Sequence, residues 1–303
     1  MGGPSDGPFK EAAKRCTDSR PDGGPDVKMI ESTAFRNFEH QGWQKAATRY
    51  GLGFGEVTVQ SIPPLLDAVN AAPGVRLLDV ACGPGYAASA AAERGSSVVG
   101  VDFSSEMVAI ARSRNPNAEF REGDAERLDF RDGAFDAVVM NYGMLHLGNP
   151  DQAIVEAYRV LRPGGRFAFT VWDTPGPGTG FGIVLHAIQT HGNLSVPLPP
   201  GPPFFRFSDP AESTRVLNAA GFVDVRVTQV PQVWRLDSGD ALFTTLRTGA
   251  VRTAALLNMQ AAEALPAIRE EIVQRTEGFR KGDHIELPMP SVLASAVKPA
   301  TSG

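Results

Sequence analysis

Val75-Arg76-Leu77-Leu78-Asp79-Val80-Ala81-Cys82-Gly83-Pro84-Gly85-Tyr86 decides the fold. Its first half, Val75 to Val80, is a Leu- and Val-rich run of the kind that forms a buried parallel strand. Ala81 to Gly85 is a glycine turn, and the alanine-rich segment Tyr86 to Glu93 reads as a helix. Strand, tight turn and helix in that order open a nucleotide-binding βαβ unit. Gly83 and Gly85 let the backbone approach a ligand, because no Cβ stands in the way. The helix start offers unpaired N–H groups and a positive dipole end. Gly83-x-Gly85-x-x-Ala88 also meets the loose dinucleotide fingerprint, but Asp79 would repel a pyrophosphate lying in the turn. A phosphate-free ligand with cationic groups and a carboxylate suits both features. The plainer reading is a strand-end Asp that only caps the turn.

The whole chain narrows the class. It has 303 residues, 42% hydrophobic and 21% charged, with a net charge of −5. That is one large globular domain with insertions, or two small domains. Without a basic block, neither nucleic acid nor an anionic membrane is an expected partner. Cys16 and Cys82 stand in unlike contexts, so a disulfide framework is not expected and a reducing cytoplasm fits. No apolar run approaches membrane-spanning length, and no signal core precedes the chain's first charges. His40, His146, His186, His191 and His284 lack the spacing and accompanying acids of a metal site, so no metal is expected. A Gly-x-Ser-x-Gly nucleophile elbow is absent.

Leu77 to Gly85 resembles the first motif of class I S-adenosylmethionine (SAM)-dependent methyltransferases, most closely the type 11 group that includes ubiquinone/menaquinone C-methyltransferases. The resemblance runs from roughly Phe35 to Lys298 and is strongest from Val75 to Trp172. It implies a Rossmann-like, doubly wound, seven-stranded sheet with N-terminal helices and helical cap insertions over the crevice. It implies SAM as cofactor, whose ammonium and sulfonium suit Asp79 and whose carboxylate suits the helix start. It also implies a small-molecule methyl acceptor, with a SAM binder that transfers no methyl and an NAD-dependent oxidoreductase as the rival readings.

Further motifs follow the turn in order. Ser97 to Asp102 is a continuous apolar run ending in an acid, which can accept both ribose hydroxyls. Ser104 or Ser105 serves better as the next helix cap. Phe103 and Met107 offer apolar contact to an adenine. Glu119 to Glu126 reads as a third strand and turn, where the resemblance gives Asp124 the adenine amino group and Ala125 a backbone N–H. Phe135 to Tyr142 is a fourth strand. The loop Gly143-Met144-Leu145-His146-Leu147 should lie beside the reacting methyl, with His146 and then Tyr142 as candidate bases. Ala81 and Asn141, at the ends of the first and fourth strands, complete the expected cofactor set with Gly83 and Gly85. Pro150 to Leu161 reads as a helix, and Arg166 to Trp172 as a fifth strand after the break Arg162-Pro163-Gly164-Gly165.

Flanking segments complete the plan. Residues 1–28 read as a disordered tail, and 29–298 as the catalytic domain. Within it, 29–72 should be N-terminal helices, 73–172 the cofactor-binding core, and 173–210 and 238–282 cap insertions. By resemblance Tyr50, and less so Trp43, faces the cofactor. Trp172, Phe204, Phe205 and Phe207 could line an acceptor pocket or form the cap's own core. Glycines 176, 178, 180 and 182 would let the first insertion move as a lid. Ile285 to Val297 reads as one last strand. Oligomeric state and acceptor identity are not written in the sequence.

Overall fold

The computed structural model describes residues 25–51 and 53–300, with side chains from residue 32 onward. The expected tail lies outside the described residues up to position 24; residues 25–28 are instead the first turn of a helix. That helix, α1 (Pro25–Tyr50), is continuous. Helix α2 (Phe54–Thr58) follows, and a 3₁₀ turn (Val59–Ser61) passes the chain into α3 (Ile62–Ala68). Pro63 and Pro64 sit in the first turn of α3, where a missing N–H costs nothing.

The alternating half comprises β1 (Arg76–Val80), α4 (Tyr86–Glu93), β2 (Ser97–Asp102), α5 (Ser105–Arg114), β3 (Glu119–Glu122), β4 (Phe135–Asn141), α6 (Pro150–Val160) and β5 (Leu161–Trp172). After it come α7 (Gly180–His191), α8 (Pro210–Ala219), β6 (Val223–Val230) and β7 (Val233–Leu236). The chain closes with α9 (Gly239–Gly249), α10 (Arg252–Asn258), α11 (Leu265–Glu277), β8 (Arg280–Lys281), β9 (His284–Pro288) and β10 (Ser291–Val297).

Seven strands form one sheet in the order β3-β2-β1-β4-β5-β10-β6. The first five are parallel, and β10 runs antiparallel between β5 and β6. Alternation along each strand sends successive side chains to opposite faces. Leu78, Val80, Val138 and Met140 pack on one face. Leu77, Ala137 and Val139 pack on the other, against Leu65 and Leu66 of α3 and Ala88 and Ala91 of α4. Chain order reverses between β1 and β4, so the carboxyl ends there open a crevice.

Two expectations are corrected. The run Ile285 to Val297 is two strands, not one. Pro288-Met289-Pro290 turns the chain between them, and β9 leaves the main sheet to join a three-stranded sheet, β7-β9-β8. The glycines at 180 and 182 are not hinges. Both are buried at the start of α7, and a Cβ on Gly182 would lie 1.7 Å from the Gly176 carbonyl oxygen. They exist for close packing.

Candidate active site

The crevice is a cavity of about 1080 Å³, counting its open mouth. That is ample for a nucleoside-sized ligand together with a second small molecule. Its floor is the set of turns that end β1, β2, β3 and β4. Its roof is α1, which touches three of those turns. Gln44 accepts the Ser104 hydroxyl and the Glu106 amide after β2. Arg36 pairs with Asp124 and with Glu126 after β3. Glu39 meets His146 after β4.

On the floor, Gly83 has φ +52 and a Cβ placed on it would meet nothing within 4 Å. The backbone there faces the cavity bare, at the start of α4, as close approach of a ligand requires. Gly85 departs from its expected role. It is the left-handed N-cap of α4 (φ 81), and a Cβ would press on Asn115 at 3.0 Å, Ala111 at 3.2 Å and Phe120 at 3.3 Å. It is a packing glycine away from the cavity wall.

Asp79 also departs from expectation. It lies beneath the turn, 1% exposed, and is not among the residues lining the cavity. One carboxylate oxygen accepts the Ala88 amide at 3.0 Å; the other, Oδ1, has no partner. Burial, reinforced by the Asp102 charge and opposed by the Ala88 amide, pushes the carboxyl up to about 8. Position in sequence placed the acid at the strand end, but the side chain turned toward the helix backbone rather than the crevice.

Asp102 does line the cavity. Its two oxygens accept the Gly83 amide at 2.8 Å and the Ser104 amide at 2.9 Å. Burial pushes it up to about 6, against those two amides and the nearby imidazoles of His146 and His40. Ser104 is the cap of α5, as expected, accepting the Met107 amide. Phe103, Met107, Ala125, Ala81 and Asn141 all reach the wall. Asp124 does too, with its carboxylate held by Arg36. The Asn141 side chain is locked by Ser61, Thr170 and the Thr58 carbonyl.

The remaining wall is aromatic. Tyr50, Trp43, Phe54, Trp172, Phe181 and Phe204 line it, joined edge to face and by stacking. Burial pushes the Tyr50 phenol up to about 12, and its hydroxyl donates to Thr58 at 3.2 Å. Tyr142 lines the cavity with φ 58, and its ring lies 4.2 Å from Trp172. Its hydroxyl donates to Gln232 at 2.6 Å, and burial raises its pKa well above the usual phenol range. That phenol is committed to structure, not poised as a base. Phe205, Phe207 and Phe243 stay behind the wall in the cap's packing.

His146 sits in a 3₁₀ turn (Met144–His146) and lines the cavity. Its Nδ1 is 2.9 Å from Glu39 Oε2. Glu39, Arg36 and Arg252 were not singled out from sequence. A signal did exist for Glu39: with Phe35, Trp43 and Ala46 it falls on the inward stripe of a helix, an odd place for an acid. Among the described residues no cluster of three or more His, Cys, Asp or Glu is placed to hold a metal, and no helix is long and apolar enough to cross a membrane.

Known proteins resemble this chain in one domain and in its fold. A family model described as a methyltransferase domain matches residues 78–169, from β1 to β5. The demethylmenaquinone methyltransferase of Renibacterium salmoninarum is 40% identical over 111 residues, which are 37% of this chain and 47% of that protein. The 2-phytyl-1,4-naphtoquinone methyltransferase of Synechocystis is 41% identical over 114 residues, 34% of this chain and 48% of that protein. The chain thus spans about half the length of these curated relatives. Among solved structures, the YcgJ protein of Bacillus subtilis superposes with a TM-score of 0.51 at 22% identity, covering 80% of this chain and 99% of that one. The fold is the Rossmann-like one of class I methyltransferases.

Proposed function

We propose that this chain, which carries a methyltransferase domain across residues 78–169, transfers a methyl group from SAM to a small, planar, apolar acceptor. The observation that carries the reading is Gly83. Its bare backbone faces the cavity at a helix start, beside the Asp102 carboxylate, at the point where strand order reverses. Asp102 on the floor suits ribose hydroxyls, as the acid ending the second strand does in dinucleotide folds too, so the choice between SAM and NAD rests on the methyltransferase-domain match over residues 78–169. The NAD reading is disfavoured on that ground.

The residues present fit the cofactor. Asp102 suits ribose hydroxyls, Phe103 and Met107 an adenine face, and Asp124 with Ala125 the adenine edge. Ala81, Gly83 and the start of α4 suit the amino-acid end, and Tyr50 closes the roof. Once bound, SAM would supply an electrophilic methyl group on a sulfonium leaving group. The chain's own part is to orient, exclude water and receive a proton. His146, in the turn after β4, is the group placed to receive it.

Trp43, Phe54, Trp172, Phe181 and Phe204 form the acceptor side. Their apolar rings favour an aromatic molecule over a charged polymer. The relatives named for demethylmenaquinone and 2-phytyl-1,4-naphtoquinone support the same class, over matches of 37% and 34% of this chain. The test is incubation with radiolabelled SAM and a small-molecule extract of cells carrying the gene, followed by mass analysis of the labelled product. Labelled product is expected. SAM binding without any transfer would leave only a SAM-binding protein, and NAD binding tighter than SAM would end the assignment.

A further inference from the structure

We propose that Glu39 is a positioning residue for His146, and that the pair restricts the acceptor to molecules that must give up a proton to be methylated. The proposal takes the reaction from the functional reading above and the pair from geometry that stands without it.

Glu39 projects from α1 with no solvent exposure. Its Oε2 lies 2.9 Å from His146 Nδ1, across 107 residues of chain, and its Oε1 has no partner. We take Glu39 as a carboxylate, which only accepts hydrogen bonds. Nδ1 therefore carries the ring proton, and Nε2 is left with its lone pair. No hydrogen bond to Nε2 is formed among the described residues, and the ring lines the cavity. Trp43 and Phe204 hold the imidazole edge-on, with ring centroids at 4.8 Å and 6.4 Å.

A carboxylate buried with one oxygen unpaired burdens the fold. The burden falls once the ring takes a second proton, because an imidazolium then faces Glu39 as an ion pair. The pair is thus arranged for the state that follows proton transfer. A histidine kept only for packing has no use for an enclosed acid on one nitrogen and a bare nitrogen toward a cavity. A thioether or a tertiary amine would make no use of the pair either. A phenol, an enol or a carbon acid beside a carbonyl would. The proton passes from that group to Nε2, the freed electron pair becomes the nucleophile, and the proton later leaves the imidazolium for solvent. Glu39 lies outside the matched stretch 78–169, so the pair depends on this chain's own first helix.

The test begins with the histidine tautomer. In protein labelled with ¹⁵N-histidine, free and bound to S-adenosylhomocysteine, His146 should carry its proton on Nδ1, its resonance assigned by loss in His146→Gln. Glu39→Gln, whose amide both donates and accepts, should lose that preference, and Glu39→Asp should retain it. In the radiolabelled-extract assay, Glu39→Gln should lower label transfer by about 10²-fold. Glu39→Asp should regain part of it, with SAM affinity near wild type in both. A wild-type proton on Nε2 overturns the proposal, and so does a Glu39→Gln protein with wild-type transfer. Failure of the wild-type chain to bind SAM would instead defeat the functional reading, because the tautomer is also read in the ligand-free protein.

Discussion

The Asp102 carboxylate and the Gly83 amide, 2.8 Å apart, tie the end of β2 to the turn that follows β1. One side chain therefore braces the turn and lines the cavity at once. Asp102→Ala should weaken SAM by about 1–3 kcal/mol, through loss of a charged acceptor for the ribose. It should also lower the melting temperature, since the Gly83 and Ser104 amides lose their partner. Calorimetry and thermal melts measure the two effects. A lower melting temperature with unchanged SAM affinity would reduce Asp102 to a brace.

The two glycines of the turn should separate cleanly. Gly83→Ala carries only the strain of a left-handed alanine, about 1 kcal/mol, but its methyl enters the cavity and should sharply weaken SAM. Gly85→Ala adds contact with Asn115, Ala111 and Phe120 to the same strain, and should lower stability more. Equal effects of both on SAM affinity and melting would refute this division.

Asp79 makes a pH-dependent contribution with a definite sign. Its carboxyl is raised from the ordinary value to about 8, so the native state prefers it protonated. The stability this gives is complete below the unfolded value, near pH 4, and is lost as pH rises through about 8. Asp79→Asn retains an oxygen for the Ala88 amide and cannot ionise. Its melting temperature relative to wild type should climb between pH 4 and 8 and level off above. A difference independent of pH would show that Asp79 does not titrate in that window.

The parallel half of the sheet was legible because β1, β2 and β4 are apolar runs closed by polar residues at the same edge. The split of residues 285–297 was not, because the apolar pattern of Ile285 and Leu287 continues through Val292 and Leu293 while the chain changes sheets at Met289. The cavity set was largely legible for the same reason as the strands: strand ends converge. Asp79 and Gly85 were not, since a position at a turn does not say on which side of the backbone the next layer packs. Glu39 was hidden because its partner is distant in sequence and supplied by another element.

Tyr142→Phe should keep methyl transfer near wild type while lowering stability. The lost hydroxyl leaves the buried Gln232 Oε1 without its donor, at about 1–3 kcal/mol. Chemical denaturation together with the label-transfer assay checks both halves. A collapse of transfer with intact stability would return the phenol to the chemistry.

Phe204 and Phe243 should differ. Phe204 lines the cavity and packs on Phe181, 5.7 Å between centroids. Phe204→Ala should raise the KM of the acceptor recovered from the labelling screen and spare SAM affinity. Phe243 is buried off the wall, so Phe243→Ala should cost about 3–5 kcal/mol of stability. Acceptor kinetics unchanged in Phe204→Ala would move the acceptor elsewhere in the cavity.

Val230 and Ser291 face each other on one rung of the β6–β10 ladder, so residues 231–290 leave the main sheet and return to it at the same place. That stretch holds β7, α9, α10, α11, β8 and β9, and it supplies Gly249 to Thr253 to the cavity. It is in effect a cassette plugged into the sheet at one rung and keyed to the rest through Gln232 with Tyr142 and Val57, Val233 with Gln60, and Arg252 with Leu145. A cassette exchanged between chains together with those contacts should alter one wall of the cavity while leaving the strand order as it is.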